Sequence, residues 1–275
     1  MKNSILKYSF CLFAILIIAM VPALRVEAIS VEIGPIELTL EPGETYSGSI
    51  PVTNDEDGTA HFRIYLGDWR QTETGDEYYE VGKIEDSLSH WMKVHPSSLT
   101  LSPGESAEVY FEISIPDDPD LTGSYWGIFF VEGEARKQEI NAADEGMPNL
   151  GLRIILRHGI KVYVNIPGTE ISKAEFTTAQ TIPSTGGGLD FVASFENQGN
   201  TYLRPHVWLE LRDQMGNTVL TSPHRIMTIL PGIKRDYSFD LSGLEISPGR
   251  YTALIIADYD APVLIAAQAE VEVKG

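Results

Sequence analysis

The chain has 275 residues, 43% of them apolar and 21% charged, a balance that supports a buried core and excludes disorder as the main state. Its 20 Lys and Arg against 39 Asp and Glu give a formal charge of −19, which repels phosphate backbones and anionic lipid and excludes a basic nucleic-acid groove. With 24 Gly, 16 Pro and no long Ala/Leu/Glu/Lys blocks, a helical bundle is excluded too.

The first segment reads as an address. Lys2 and Lys7 precede an apolar run from Phe10 to Leu24, and Val26-Glu27-Ala28 puts small residues where a signal peptidase reads them. The pattern predicts a signal peptide over 1–28, cleaved so that the mature chain starts at Ile29, with an uncleaved anchor as the alternative. Cleavage removes Lys2, Lys7, Arg25 and Glu27, leaving the rest more acidic still. No later apolar stretch approaches the roughly 20 residues that cross a bilayer, so no membrane span is expected after cleavage. The single cysteine, Cys11, lies in this segment, so the mature protein is expected to have no disulfide, thiol nucleophile or cysteine metal site.

From there the chain reads as strands punctuated by turns. Val109–Ile115 and Phe191–Phe195 are short and rich in β-branched and aromatic residues. Turn signals recur at sandwich spacing: Glu41-Pro42-Gly43, Asp57-Gly58, Ser102-Pro103-Gly104, Met215-Gly216-Asn217, Leu230-Pro231-Gly232 and Ser247-Pro248-Gly249. Pro presets the first corner of a turn and Gly supplies the positive φ that closes it. One phrase occurs twice, Leu38-Thr-Leu-Glu-Pro-Gly-Glu44 and Leu99-Thr-Leu-Ser-Pro-Gly-Glu105, each leading into another strand. The fold class predicted is all-β, two immunoglobulin-like β-sandwich domains in tandem after the signal peptide. Pro167-Gly168 follows the strand Gly159–Ile166 and marks the boundary, giving domains at 29–167 and 168–275. Glu134–Asn149 is polar and unpatterned, and reads as a long mobile loop between two strands.

Catalytic constellations are missing. His90 and His95 stand an odd number of residues apart, which on a strand sends them to opposite faces. His61, His158, His206 and His224 are isolated in the sequence. There is no Gly-x-Ser-x-Gly elbow, phosphate loop or His-Glu-x-x-His pattern, so no enzyme, cofactor or metal is expected. The acidic clusters Asp55-Glu56-Asp57 and Asp117-Asp118-Pro119-Asp120 lack calcium-loop spacing and read as solvated turns.

The informative segment is Leu152-Arg-Ile-Ile-Leu-Arg-His-Gly-Ile-Lys-Val-Tyr-Val164. Leu152, Ile154 and Leu156 share one apolar face of a strand, opposite Arg153, Ile155 and Arg157. Such a strand either faces its own core or, on a sheet edge, lends side chains and backbone bonds to a partner chain.

This run, with Pro167 after it, resembles the last first-domain strand of the periplasmic pilus-assembly chaperones. Trp91-Met-Lys-Val-His-Pro96 with Leu99, Leu101 and Pro103-Gly104 is similar to that family's mid-domain strand pair, and Tyr125-Trp-Gly-Ile-Phe-Phe130 resembles the strand ahead of its mobile loop. The likeness covers most of 30–167. It implies a periplasmic chaperone-like protein that binds and caps secreted pilus or fibre subunits by donating an edge strand. The donors would be Leu152, Ile154 and Leu156, and Lys161 would anchor the subunit's terminal carboxylate. Strict alternation sets Lys161 on the face opposite the donors, and a bulge at Gly159 is the expected way to re-aim it. The implied partners are a pilus or surface-fibre subunit and, secondarily, an outer-membrane assembly protein.

The chain departs from this pattern in two ways. The family pairs its lysine with a first-strand arginine, whereas Leu38 stands near that place with Glu37 beside it as an opposing charge. The acidity is also unlike the family's basic character, and residues 168–275 resemble generic exported sandwich domains. A cell-envelope binding or structural protein of tandem immunoglobulin-like modules is the alternative reading.

Overall fold

The repeated Pro-Gly phrase forms the same hairpin corner twice. Gly43 and Gly104 take φ of +82° and +73°, values that residues with a Cβ adopt only under strain. In each corner the following glutamate closes the turn through its backbone, Glu44 N–H to the Glu41 carbonyl and Glu105 N–H to the Ser102 carbonyl, both at 3.0 Å. Its carboxylate then accepts from the first residue's N–H, at 2.9 Å from Glu41 and 2.8 Å from Ser102. The sequence repeat is therefore a local hydrogen-bond device.

The computed structural model describes residues 34–140, 150–185, 187–241 and 246–273, with the side chains of 136–140 and 150–153 excepted. The expected signal peptide 1–28, Cys11 and Ile29 lie outside these residues. Among the described residues, everything regular is strand apart from one 3₁₀ turn at Leu88–Trp91. No helix among the described residues is long and apolar enough to cross a membrane.

In the first sandwich, one sheet has the order β1 (Ile36–Thr39), β11 (Arg157–Asn165), β8 (Ser124–Gly133), β3 (Ala60–Gln71), β4 (Asp76–Glu80), with β6 (Ser98–Leu101) also on β3. The facing sheet is β2 (Thr45–Thr53), β7 (Ser106–Ser114) and β5 (Met92–His95). Among the described residues, only β1 runs parallel to its neighbour, pairing Ile36–Thr39 with Val162–Asn165. Between the sheets lie Ile50, Val52, Phe62, Ile64, Val109, Phe111, Phe129, Val131, Ile160 and Val162, all buried. Burial of such side chains is the main stabilising term, at about 1.5–3 kcal/mol each.

The second sandwich packs β12 (Ala174–Pro183), β13 (Leu189–Asn197) and β17 (Lys234–Asp240) on a sheet ordered β15 (Thr218–Thr221), β14 (His206–Arg212), β18 (Gly249–Asp258), β19 (Ile265–Val273). A two-residue strand, β16 (Arg225–Ile226), also pairs with β14. Its core gathers Phe191, Phe195, Val207, Leu209, Tyr237 and Ile255. The chain is thus all-β, two immunoglobulin-like sandwiches in tandem, as the turn spacing predicts.

The outer face of the first sheet meets the second sandwich. Trp69, Ile128, Phe130 and Tyr163 form a cluster there with Leu230, flanked by Tyr202 and Ile233. This explains the unbroken apolar run Ile128–Val131 in β8. Phe129 and Val131 face the first core while Ile128 and Phe130 face the junction, so neither side of the strand sees water.

One loop expectation is corrected in part. Within 134–149, Arg136–Ile140 is a strand, β9, paired antiparallel with β10 (Leu150–Ile154). Residues 141–149 lie outside the described part. β9 carries no apolar alternation; its extended form comes from backbone pairing with β10, which composition does not report.

Candidate functional site

β8–β9 and β10–β11 together make one long hairpin with a break near its middle. Ile154 pairs with Arg136 but Arg157 pairs with Glu132, so two residues on one arm oppose three on the other. At the break the Leu156 carbonyl accepts from Gly133 N–H at 2.9 Å. Beyond it the register runs unbroken from Arg157 to Asn165, including Gly159 opposite Phe130. The bulge expected at Gly159 is therefore not there, and the irregularity sits at Ile155-Leu156.

Gly159 has a different reason. A Cβ there would stand 2.7 Å from Ile128 Cδ1 and 3.0 Å from Phe130 Cε1. On the other flank, a Cβ at Gly67 of β3 would meet Phe130 Cε2 at 2.7 Å. The two glycines make room for one phenyl ring lying against the sheet, under the guanidinium of Arg157, 4.4 Å from the ring centre.

Alternation along β11 assigns its two faces. Ile160, Val162 and Val164 enter the first core, while Lys161 and Tyr163 face the junction. Backwards from Ile160 the pleat is interrupted at Ile155-Leu156, so the parity of β11 does not carry over to Ile154 and Leu152 beyond the break. Ile154 is 45% exposed, Ile155 50% and Leu156 39%. Leu152 pairs with Gln138 through its backbone, and its side chain lies outside the described ones. Ile155 lines an open hollow of about 490 Å³ together with His61, Phe62, Leu99 and Glu134. Among the described residues, β1 covers β11 only from Val162 onward, and no strand pairs with the outer side of Leu150–Lys161. An unpaired edge with three consecutive exposed apolar residues is a surface on which a partner strand can form.

Lys161 lies on the junction-facing side of β11, opposite its neighbours Ile160 and Val162. Its Nζ lies 4.0 Å from the Trp69 ring centre and donates to Asp76 Oδ2 at 2.6 Å, with both side chains 25% exposed. The pair lines a cleft of about 440 Å³ between the sandwiches, shared with Gly34, Gln71, Tyr163, Arg204, Thr228 and Arg235. Trp69 packs edge-on against Tyr163, which lies against Tyr202. Burial raises both phenols, that of Tyr202 to about 12, so neither ionises near neutrality.

Glu37 does not oppose Lys161 as a free charge. Arg204 Nη1 of the second sandwich holds it at 2.8 Å. Leu38, where the resemblance expects an arginine, pairs with Val164 and packs on the first core. Among the described residues, the cations that enter the cleft besides Lys161 are Arg204 and Arg235, both from the second sandwich. Sequence reasoning missed Asp76, Trp69, Arg204 and Arg235 because they lie far from Lys161 in the chain. The one legible hint was Trp69 within the polar run Asp68-Trp69-Arg70-Gln71.

The remaining candidates are structural. His90 Nε2 lies 3.0 Å from the Ile84 carbonyl within the 3₁₀ turn, not on a strand. His206 and His224, isolated in sequence, have ring centres 6.2 Å apart, and His224 stacks on Trp208 at 4.7 Å. Asp118 accepts from Asp120 N–H in a local turn. Among the described residues, no three His, Cys, Asp or Glu side chains converge as metal ligands.

No protein-family model matches the chain, and no curated protein matches it. Similar solved structures include the YadV chaperone, at 12% identity over 89% of this chain and 98% of that one, with a TM-score of 0.43. A chain of the CsuC–CsuE chaperone–tip subunit pre-assembly complex of Acinetobacter baumannii is similar at 12% identity over 87% and 97%, TM-score 0.43. The CupB2 chaperone of Pseudomonas aeruginosa is similar at 9% identity over 89% and 100%, TM-score 0.41.

Proposed function

We propose that this chain is an exported, periplasmic chaperone-like protein that binds and caps secreted pilus or surface-fibre subunits by lending them an edge strand. The observation that carries the reading is the run Ile154-Ile155-Leu156, exposed on an edge whose outer side is unpaired among the described residues. Soluble proteins blunt such edges with charge, proline or a cover, because an open one templates pairing with other chains. Here Leu152, Ile154 and Leu156 are the donors to a subunit sandwich that lacks a strand, and Lys161 in the cleft anchors that subunit's terminal carboxylate. The work is binding, not catalysis. Residues 29–167 form the donor domain and 168–275 the second one, divided at Pro167-Gly168. An outer-membrane assembly protein is the second partner of the loaded complex.

A cell-envelope module of tandem sandwiches is the second reading. It is favoured by the Lys161–Asp76 pair, which leaves the anchor neutralised from within. The two readings separate on what co-purifies with the mature protein from the exported fraction. A small β-rich subunit at equal stoichiometry supports the chaperone. Cell-wall fragments or a large membrane protein support the module.

A further inference from the structure

The ammonium of Lys161 already holds a carboxylate. Asp76 is the first residue of β4, the outermost strand of its sheet, and pairs with Gln71 across a tight turn. The turn is closed by Thr72 N–H to the Gly75 carbonyl at 2.8 Å, and Thr72 Oγ1 lies within 3.2 Å of Gly75 N. This local geometry carries the Asp76 side chain to the cleft mouth, 85 positions away from its partner in the chain. On the same cleft, Arg235 donates to the Thr72 carbonyl at 2.9 Å and has no ion pair among the described residues. The turn that presents Asp76 is therefore tied to the second sandwich through a guanidinium with donors to spare.

We infer that Asp76 is a resident competitor. It occupies Lys161 in the free protein, and an incoming C-terminal carboxylate displaces it and is then held by Lys161 and Arg235 together. The inference rests on the proposed carboxylate anchor and adds its regulation. The physical reason is desolvation: an ammonium held over Trp69 and three-quarters shielded is costly without a counter-charge. Exchanging one carboxylate for another leaves that cost met throughout. The anchor then gives little net affinity to a loose carboxylate, which only replaces a bond already made. A chain that also adds a strand to the Leu150–Lys161 edge gains enough elsewhere to complete the exchange. Arg235 supplies the second leg that the first strand, with Leu38 facing the core, does not.

The test compares a short N-acetylated peptide of alternating Val and Thr, made as free acid and as C-terminal amide, on the full mature protein. Asp76→Asn keeps size and shape while releasing Lys161. It should raise the preference for acid over amide about tenfold relative to wild type, the scale of one charge-assisted bond. Glu77→Gln, one residue along the same strand, should leave that preference unchanged and so controls for general charge removal. Adding Arg235→Gln to Asp76→Asn should lower the preference again, and no change there would remove Arg235 from the anchor. Equal acid preference in wild type and Asp76→Asn would overturn the competitor role while leaving the anchor standing. No acid preference in either protein, or no binding at all, would overturn the anchor reading and the inference with it.

Discussion

Gln71 of the first sandwich clasps Leu230 of the second as one peptide group clasps another. Its Oε1 accepts from Leu230 N–H at 2.9 Å and its Nε2 donates to the Thr228 carbonyl at 2.8 Å. The amide is buried, so neither backbone group has water to fall back on. Gln71→Ala should strand both, at about 1–3 kcal/mol each, and loosen the junction. Calorimetry should show the second sandwich melting earlier, and protease should cut faster between residues 166 and 173. An unchanged thermogram and digestion pattern would mean the aromatic cluster alone holds the sandwiches together.

Ile154 is the middle one of the three proposed donors, Leu152, Ile154 and Leu156. With the side chain 45% exposed, Ile154→Asp should shift unfolding by no more than about 0.5 kcal/mol. Partner binding should fail, because a carboxylate in an apolar groove costs several kcal/mol. Comparing the co-purifying subunit and the melting temperature of the two proteins tests both halves. A variant that unfolds, or that keeps its subunit, sinks the donor assignment.

Phe130 is held between Gly67 and Gly159, and the fit can be measured as a coupling. Gly67→Ala puts a methyl 2.7 Å from the ring edge and 3.1 Å from the Tyr79 carbonyl, while Gly159 leaves no retreat on the far side. The cost should be about 1–3 kcal/mol, as for other overpacked cores. In a Phe130→Leu background the same change should cost clearly less, since the clash partner is gone. Additive costs across the double-mutant cycle would show that the glycine serves the backbone instead.

Asp68 orders the segment after β4. Its carboxylate accepts from Lys83 N–H at 2.7 Å, Ile84 N–H at 2.9 Å and the Ser89 hydroxyl. Burial pushes this carboxyl up, but the bonds from Ser89, Ile84, Ser87 and Lys83 outweigh it and hold it below the usual range. A folded value below the unfolded one, near 3.9, means the stabilisation is present above about pH 4 and lost as pH falls through the folded value. Asp68→Asn should therefore cost at least about 2 kcal/mol at neutral pH, with the gap to wild type narrowing in acid. Denaturant titrations across that range check it, and a gap that stays constant would assign the cost to shape alone.

Local chemistry was legible in the sequence because it acts between neighbours. Pro42-Gly43 and Pro103-Gly104 turn where they do through φ preference and a glutamate three residues after the turn's first residue. Alternation likewise put Lys161 on the face opposite Ile160 and Val162, since the pleat has a period of two, but it does not run through the break at Ile155-Leu156 to Ile154 and Leu152. What only the tertiary structure decided is what each of those faces meets. Asp76 reaches Lys161, Arg204 reaches Glu37, and Phe130 fills the space left by Gly67 and Gly159, because strand order brings distant segments together. Gly159 shows the difference most directly. Its lack of a side chain allows either a bulge or the close approach of neighbouring side chains, and the choice was made by Ile128 and Phe130 on the neighbouring strand, whose atoms occupy the volume a Cβ would need.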